Sequence, residues 1–324
     1  MTAATDRPVL REQSPTDARP TVLYVAGSGR SGSTALAQVL ERELAAGHAG
    51  EVRYLWDRGI GEDQLCQCGQ PFSRCPWWSG VLSRAHGEAL DGAAGTLARV
   101  RPAVDRIRRV PSLLRQARAG QPTAAVAAYA DVVVPVYAAL AAHGARDEAV
   151  IDSSKDPSYL FALAATGRID LRVLHLVRDS RAVAHSWTRR KRRPEIHWEE
   201  QYMRTLPPWR SAVLWTEYNT VLETARGLGV PVLRVRYEDF ATDPDATVGR
   251  VATSLGLARR QLGTAPAGHS FSGNPIRFDA EPVRVRLDEA WRTALAADQR
   301  RRVTALTAPL LASYGYLGRT RGGR

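Results

Sequence analysis

Apolar positions along this chain repeat at two spacings. Thr21-Val-Leu-Tyr-Val-Ala26 is an unbroken run rich in β-formers, the pattern of a strand buried on both faces. It breaks into Gly27-Ser-Gly-Arg-Ser-Gly-Ser-Thr34. Leu36, Val39 and Leu40 then recur at helical spacing and predict a helix over 35–46. The same strand-then-helix order returns three times. A strand end at 150–153 precedes a helix at 157–165, and a strand at 171–177 feeds a helix over 180–190. A strand at 230–236 lies between helices at 211–228 and 247–255. Such alternation predicts an α/β fold, a three-layer sandwich with a central parallel sheet and helices on both faces.

Between about Asp63 and Arg146 the alternation stops. This stretch is rich in Ala and Arg, helical in pattern, and reads as a helical insertion over one edge of the sheet and a candidate lid. Its last part, 124–142, is apolar and long enough to span a bilayer. It is mostly alanine, however, with Asp131 and Pro135 near the middle, so a buried helix is expected and no membrane span. Residues 1–20 carry charges and no apolar core; they read as a disordered polar tail, not a signal peptide, and 319–324 as a basic tail.

Composition adds two constraints. The 324 residues are 44% hydrophobic and 24% charged, a globular balance. The three cysteines are too few for a disulfide scaffold, so a reducing, cytoplasmic setting is expected. Net charge is +12, from 45 Lys+Arg against 33 Asp+Glu, which admits nucleic acid, an anionic membrane or an anionic small ligand as partner. Much of the excess sits in 189–193, 300–302 and the tail. Such runs read as solvated surface, with 189–193 an alternative rim for an anionic ligand.

The turn after the first strand suits an anion. Its glycines let backbone N–H groups approach, and a helix N-terminus follows. Ser31, Ser33 and Thr34 add hydroxyls, and Arg30 a planar cation. It resembles a P-loop, but Gly32-Ser33-Thr34 has no lysine where an NTPase or kinase needs one. Gly27-Ser-Gly29-Arg-Ser-Gly32 also fits a dinucleotide fingerprint, with Glu51 as its acidic residue, although nicotinamide enzymes rarely load this turn with arginine and hydroxyls. A second anion site is suggested by Arg178 at a strand end and Ser186 two helical turns on; the plain alternative is an Arg178–Asp179 pair and an exposed serine.

Together, Gly-Ser-Gly-Arg-Ser-Gly-Ser-Thr34 and Leu176-Val-Arg-Asp-Ser-Arg-Ala-Val-Ala-His-Ser-Trp187 resemble the two cofactor motifs of sulfotransferases that use 3′-phosphoadenosine 5′-phosphosulfate (PAPS). Asp152-Ser-Ser-Lys-Asp-Pro157, Val235-Arg-Tyr-Glu-Asp-Phe240 and Ser272-Gly-Asn-Pro-Ile-Arg277 extend the resemblance. It covers 21–318 apart from the insertion, and lies nearer the bacterial and Golgi-type branch than the cytosolic aryl type. It implies that Gly29, Arg30, Ser31, Gly32, Ser33 and Thr34 hold the 5′-phosphosulfate, and that Arg178 and Ser186 hold the 3′-phosphate. Tyr237 would lie near the adenine, with Gly273, Asn274 and Arg277 in a late cofactor-contacting loop. Lys155 resembles a catalytic lysine, and Gly50-Glu51 a Gly-Glu whose carboxylate is the base. The implied reaction carries a sulfuryl group to the hydroxyl of a small-molecule acceptor by in-line displacement. Arg30 and Lys155 would stabilise the transferring charge, with no metal required. His175 and His185 are better explained by packing.

Two rival functions remain: a P-loop kinase-like phosphotransferase, disfavoured by the missing lysine, and a basic nucleic-acid-binding protein, for which no motif is present. Cys66-Gln-Cys68 and Cys75 look like part of a zinc knuckle, but tetrahedral zinc wants four ligands. His86, eleven residues on, is one candidate for the fourth. The alternative is a compact turn whose Phe72, Trp77 and Trp78 line the acceptor side of the cleft.

Overall fold

A computed structural model describes residues 19–144, 148–260, 268–279, 281, 283 and 285–317. Five strands, β1 (Thr21–Gly27), β2 (Ala46–Gly50), β3 (Ala149–Lys155), β4 (Asp170–Val177) and β5 (Val232–Arg236), form one sheet in the order β2-β3-β1-β4-β5. Every pairing is parallel. The helices are α1 (Ser33–Glu43), α2 (Pro76–Ala85), α3 (Leu90–Val104), α4 (Val110–Ala119), α5 (Ala124–His143), α6 (Pro157–Thr166), α7 (Ser180–Thr188) and α8 (Pro208–Glu223). The last four are α9 (Tyr237–Thr242), α10 (Pro244–Leu255), α11 (Trp291–Ala294) and α12 (Ala297–Ser313). The expected α/β class and helix-covered parallel sheet are thus present. The expected tails at both ends lie largely outside the described residues.

β1 explains why the sheet needs cover on both sides. Its residues 22–26 are all fully buried. Leu23 and Val25 face α1 and α10 through Leu36, Leu40, Val248 and Val251. Val22 and Tyr24 face α5 and α6 through Tyr137, Leu160 and Leu163. The period of two along the strand sends alternate side chains into two separate cores, so the apolar run is continuous.

Two expectations need correction. The helix predicted to reach residue 46 stops at Glu43, and Ala46–Gly50 is strand β2. Its sequence, AGHAG, has no β-branched residue; it is extended because it pairs with β3, Ala46 against Ala149 and His48 against Ile151. The 63–146 insertion does not form a lid. Its helices α4 and α5 pack on α6, and α5 also touches β3, so it thickens one face of the sheet. Helix α5 is long and apolar enough to cross a membrane by length and composition, yet Val133, Tyr137 and Leu140 are buried in this core.

Two buried groups tie the sheet to its surroundings. His175, in the middle of β4, shares a 2.8 Å hydrogen bond with Asn219 of α8, and burial pushes its pKa down to about 4. Gly50, at φ +87°, lets Phe271 pair alongside β2: the Phe271 amide donates to Ala49 O at 2.9 Å and Glu51 N–H donates to Phe271 O at 2.7 Å. A Cβ on Gly50 would lie 2.1 Å from Phe271 O.

Gly50→Ala should therefore detach the 271 segment and cost at least about 2 kcal/mol in urea unfolding, as expected where both strain and a backbone clash are introduced. His175 is neutral when folded and takes up a proton when unfolded between pH 4 and 6.5, so its contribution is present above that window and lost as pH falls through it. In urea melts at pH 5, 6 and 7, the stability of wild type minus that of His175→Gln should rise with pH by up to about 1.4 kcal/mol per unit, then level off.

Candidate active site

Each strand of the sheet delivers one element of the site at its C-terminal end. The glycine turn follows β1, Glu51 follows β2, Lys155 ends β3, Arg178 follows β4 and Tyr237 follows β5. In a parallel sheet all these ends lie on one edge, where ligands of open α/β folds bind. They surround a cavity of about 670 Å³.

The turn is shaped by two close approaches. Gly32, the N-cap of α1 at φ +93°, sits against the Tyr237 ring, where a Cβ would come within 2.5 Å of Cε2. No acidic residue lies in the first turn of α1, so its end amides and partial positive charge face the cavity uncompensated. The Arg30 guanidinium stacks on Trp187 with Cζ 5.0 Å from the ring centre. Its Nε, Nη1 and Nη2 are shut off from water and have no hydrogen-bond partner among the described residues; nor have Ser28 Oγ and Ser31 Oγ. Burial lowers the Arg30 pKa, opposed by Glu51.

Arg178 joins the two anion motifs. Its Nη1 donates to the Arg30 carbonyl at 3.2 Å, its guanidinium lies 4.4 Å from the Tyr237 ring centre, and its Nε is buried without a partner among the described residues. The alternative Arg178–Asp179 pair does not form. Asp179 caps α7 and binds Arg181 at 2.6 Å, whereas Arg178 Nη2 reaches Asp288 at 3.1 Å. Ser186 lines the same cavity. Lys155 Nζ donates to Glu51 Oε1 and to Ser153 O at 3.1 Å, which joins two residues 104 positions apart in a nearly buried ion pair. Among the described residues, non-glycine positions with positive φ are Arg30, Asp63, Lys155 and Ser272. Arg30 and Lys155 line the cavity, and Ser272 accepts from Arg58, which also lines it. Strain of about 1–3 kcal/mol per residue persists only where the surroundings enforce it.

Against this geometry, a family model described as the sulfotransferase family matches residues 22–261. The chain belongs to that family. The sulfotransferase domain of the Synechococcus PCC 7002 olefin synthase is similar to this family member at 20% identity and a TM-score of 0.45, over 92% of this chain and 97% of that one. The sulfotransferase domain from the curacin biosynthetic pathway is similar at 16% identity and a TM-score of 0.46, over 89% and 98%. No curated protein matches the chain.

Most of the residues singled out in this sulfotransferase-family chain come together. Gly29, Arg30, Gly32, Ser33, Thr34, Glu51, Lys155, Arg178, Ser186, Tyr237, Gly273 and Asn274 all line the cavity. The Asn274 amide donates to Thr34 Oγ1 at 3.3 Å, which ties the late loop to the glycine turn. Ser31 is buried beneath the turn. Arg277 does not reach the cavity wall. It is buried with Nη2 on Leu65 O at 3.2 Å, and desolvation lowers its pKa to about 10.

Several lining residues escaped sequence reasoning. Tyr54 and Arg58 lie in one irregular turn after β2, with Arg58 3.9 Å from the Tyr54 ring centre and 3.9 Å from Glu51 Oε2. The basic run 189–193 divides by a period of two. Lys191 and Arg193 pair through the backbone with Met203 and Gln201, and Arg189, Lys191 and Arg193 line the cavity. Arg190 is exposed and stacks on Tyr202. Burial, then Arg30, Arg189 and Arg178, hold Lys191 below the ordinary lysine range. Trp78 is not an acceptor contact. It is fully buried against Phe72 and Phe271, and Trp77 stacks on His269. His86 hydrogen-bonds Val132 O at 3.0 Å and does not join the cysteines.

Lys155→Met would leave the Glu51 carboxylate nearly buried with Ser272 Oγ at 3.4 Å and Arg58 at 3.9 Å. Unfolding in urea should show a loss of about 2–4 kcal/mol. The double variant Glu51→Gln/Lys155→Met should recover much of it, so the two effects are strongly non-additive. Additive losses would mean that the ion pair contributes nothing.

Proposed function

We propose that this chain transfers a sulfuryl group from PAPS to the hydroxyl of a small-molecule acceptor. The observation that carries the reading is the set of orphaned donors in one cavity. The three guanidinium nitrogens of Arg30, the hydroxyl of Ser28 and Arg178 Nε belong to residues that line it and are buried without partners among the described residues. Buried donors are normally satisfied, and a ligand with several anionic oxygens would satisfy these. PAPS has two such groups on one adenosine. The glycine turn with the α1 N-terminus suits the 5′-phosphosulfate, and Arg178 with Ser186 suits the 3′-phosphate.

In the reaction the acceptor oxygen forms a bond to sulfur while the bond from sulfur to the 5′-phosphate oxygen breaks. The acceptor proton passes to Glu51, and adenosine 3′,5′-bisphosphate leaves. Arg30 and Lys155 stabilise the charge that builds on the transferring group and the departing oxygen. The cations around the cavity supply the positive field that Mg²⁺ supplies in kinases. Lys155 donates to Glu51 and so stands beside both the base and the departing oxygen. The cavity wall also includes Tyr54, Met203, Leu206, Leu214 and Tyr218, apolar and aromatic side chains that suit an acceptor of that character.

A thermal-shift titration with adenosine 3′,5′-bisphosphate tests the donor. At a hundred times its dissociation constant the ligand should stabilise the wild type by about 2.7 kcal/mol. Arg178→Ala should shift only at much higher concentration, and ATP with Mg²⁺ should do little. No wild-type shift, or a stronger one with ATP, rejects the reading. Once an acceptor is known, Glu51→Gln should lower kcat about 10²–10⁴-fold while donor affinity stays near wild type.

A further inference from the structure

The three cysteines take no part in the chemistry above, yet the fold gathers them. Cys66 and Cys75 are buried, Cys68 is exposed, and the ligand atom of each lies within 4.8 Å of the others and of a ring nitrogen of His269. Cys75 Sγ is 3.4 Å and Cys66 Sγ 3.8 Å from His269 Nδ1, and Cys68 Sγ is 3.7 Å from Cys75 Sγ. Zinc bonds of about 2.3 Å to sulfur and about 2.0–2.1 Å to nitrogen, set tetrahedrally, imply edges of about 3.8 Å between sulfurs and about 3.6 Å from sulfur to nitrogen. The two sulfur–nitrogen distances straddle the second value, and the sulfur–sulfur distance lies close to the first. A disulfide would need sulfurs at about 2.05 Å and would leave one thiol and the imidazole without purpose.

We propose that Cys66, Cys68, Cys75 and His269 Nδ1 form a closed, structural zinc site that fastens the 66–75 turn to the loop carrying Ser272, Gly273 and Asn274. The donor set, three soft sulfurs and an imidazole, selects zinc over oxygen-seeking cations, and four protein ligands leave no open position for catalysis. Binding displaces three thiol protons to solvent; the imidazole ligates neutral through Nδ1 and keeps its proton on Nε2.

The surroundings hold the ligands in place. Trp78 Nε1–H donates to the His269 carbonyl at 2.9 Å, and Trp77 stacks on the His269 ring at 5.5 Å with an interplanar angle of 2°. Gln67 Oε1 accepts from the amide of Ser270 at 3.1 Å and from its hydroxyl at 2.6 Å. Within the turn, Cys66 N–H donates to Gln70 O and Gly69 N–H donates to Cys66 O, both at 2.9 Å. Such supports around a metal orient its ligands in advance. Two residues past Ser270, Ser272 touches Glu51 at 3.4 Å, so the clip anchors one wall of the cavity from behind. It closes a contact between positions 194 residues apart.

The test needs no donor or acceptor, so its result is independent of the function proposed above. The untagged full-length chain, purified without chelator, should carry about one zinc per chain by elemental mass spectrometry. Cys68→Ser, at an exposed position that does not threaten folding, and His269→Gln should each weaken zinc binding at least about 100-fold. Cobalt(II) added to chelator-stripped protein should give the intense visible bands of tetrahedral thiolate coordination, absent in Cys68→Ser. Stripping should lower Tm, and zinc alone should restore it. Protein that is metal-free as isolated and takes up no zinc overturns the proposal. So does a Cys68–Cys75 disulfide found by peptide mass spectrometry, or zinc retained equally by both variants.

Discussion

Five parallel strands that end on one edge are the constraint on which the rest of this molecule depends. Parallel strands need crossover connections, and the crossovers cover both faces with helices, so the chain leaves the sheet for chemistry only at the strand ends. Here all five ends are used. The glycine turn, Glu51, Lys155, Arg178 and Tyr237 each stand within a few residues of where a strand stops. The rigidity of the sheet sets their separations, because β1 is packed on both sides and cannot shift without disturbing two cores. The geometry of the candidate site is inherited from main-chain pairing.

Charge is the second organising feature. Arg30, Arg178, Lys191 and Arg193 line one concavity, where burial first and then Arg30, Arg189 and Arg178 lower the pKa of Lys191. The molecule offsets part of this with internal carboxylates, Glu51 on Lys155 and Asp288 on Arg178, and part with aromatic faces, Trp187 under Arg30 and Tyr237 under Arg178. Aromatic faces hold guanidinium groups without consuming their N–H donors, so the donors stay available. A surface arranged this way is more stable with an anion than without one, which is the expected signature of a site for a multiply charged ligand.

The insertion and the late loop have a structural division of labour. Helices α4 and α5 thicken one face of the sheet, while the turn at 66–75 reaches around to the 269–271 segment that pairs with β2. That segment then turns through Ser272 and Gly273 into the cavity wall, against Glu51 and Thr34. A part of the chain outside the cavity wall thereby steadies a part that lines it.

The sequence by itself determined the alternating strands and helices, the glycine turn, and the separate motifs around Lys155 and Arg178, because each is written in neighbours along the chain: an apolar run, a glycine spacing, a helix period. Strand β2 was illegible, since AGHAG has no preference for extension and is drawn into it only by β3. The basic run at 189–193 read as solvated surface or as a rim for an anionic ligand, and its backbone pairing with 201–203 accompanies the placing of alternate cations on the cavity wall. Arg277 matched a motif but is buried against Leu65, and His269, far from the cysteines in sequence, completes their cluster where His86 does not. Local patterns specify elements; which distant side chains meet depends on how those elements are stacked, and that is a property of the packed whole.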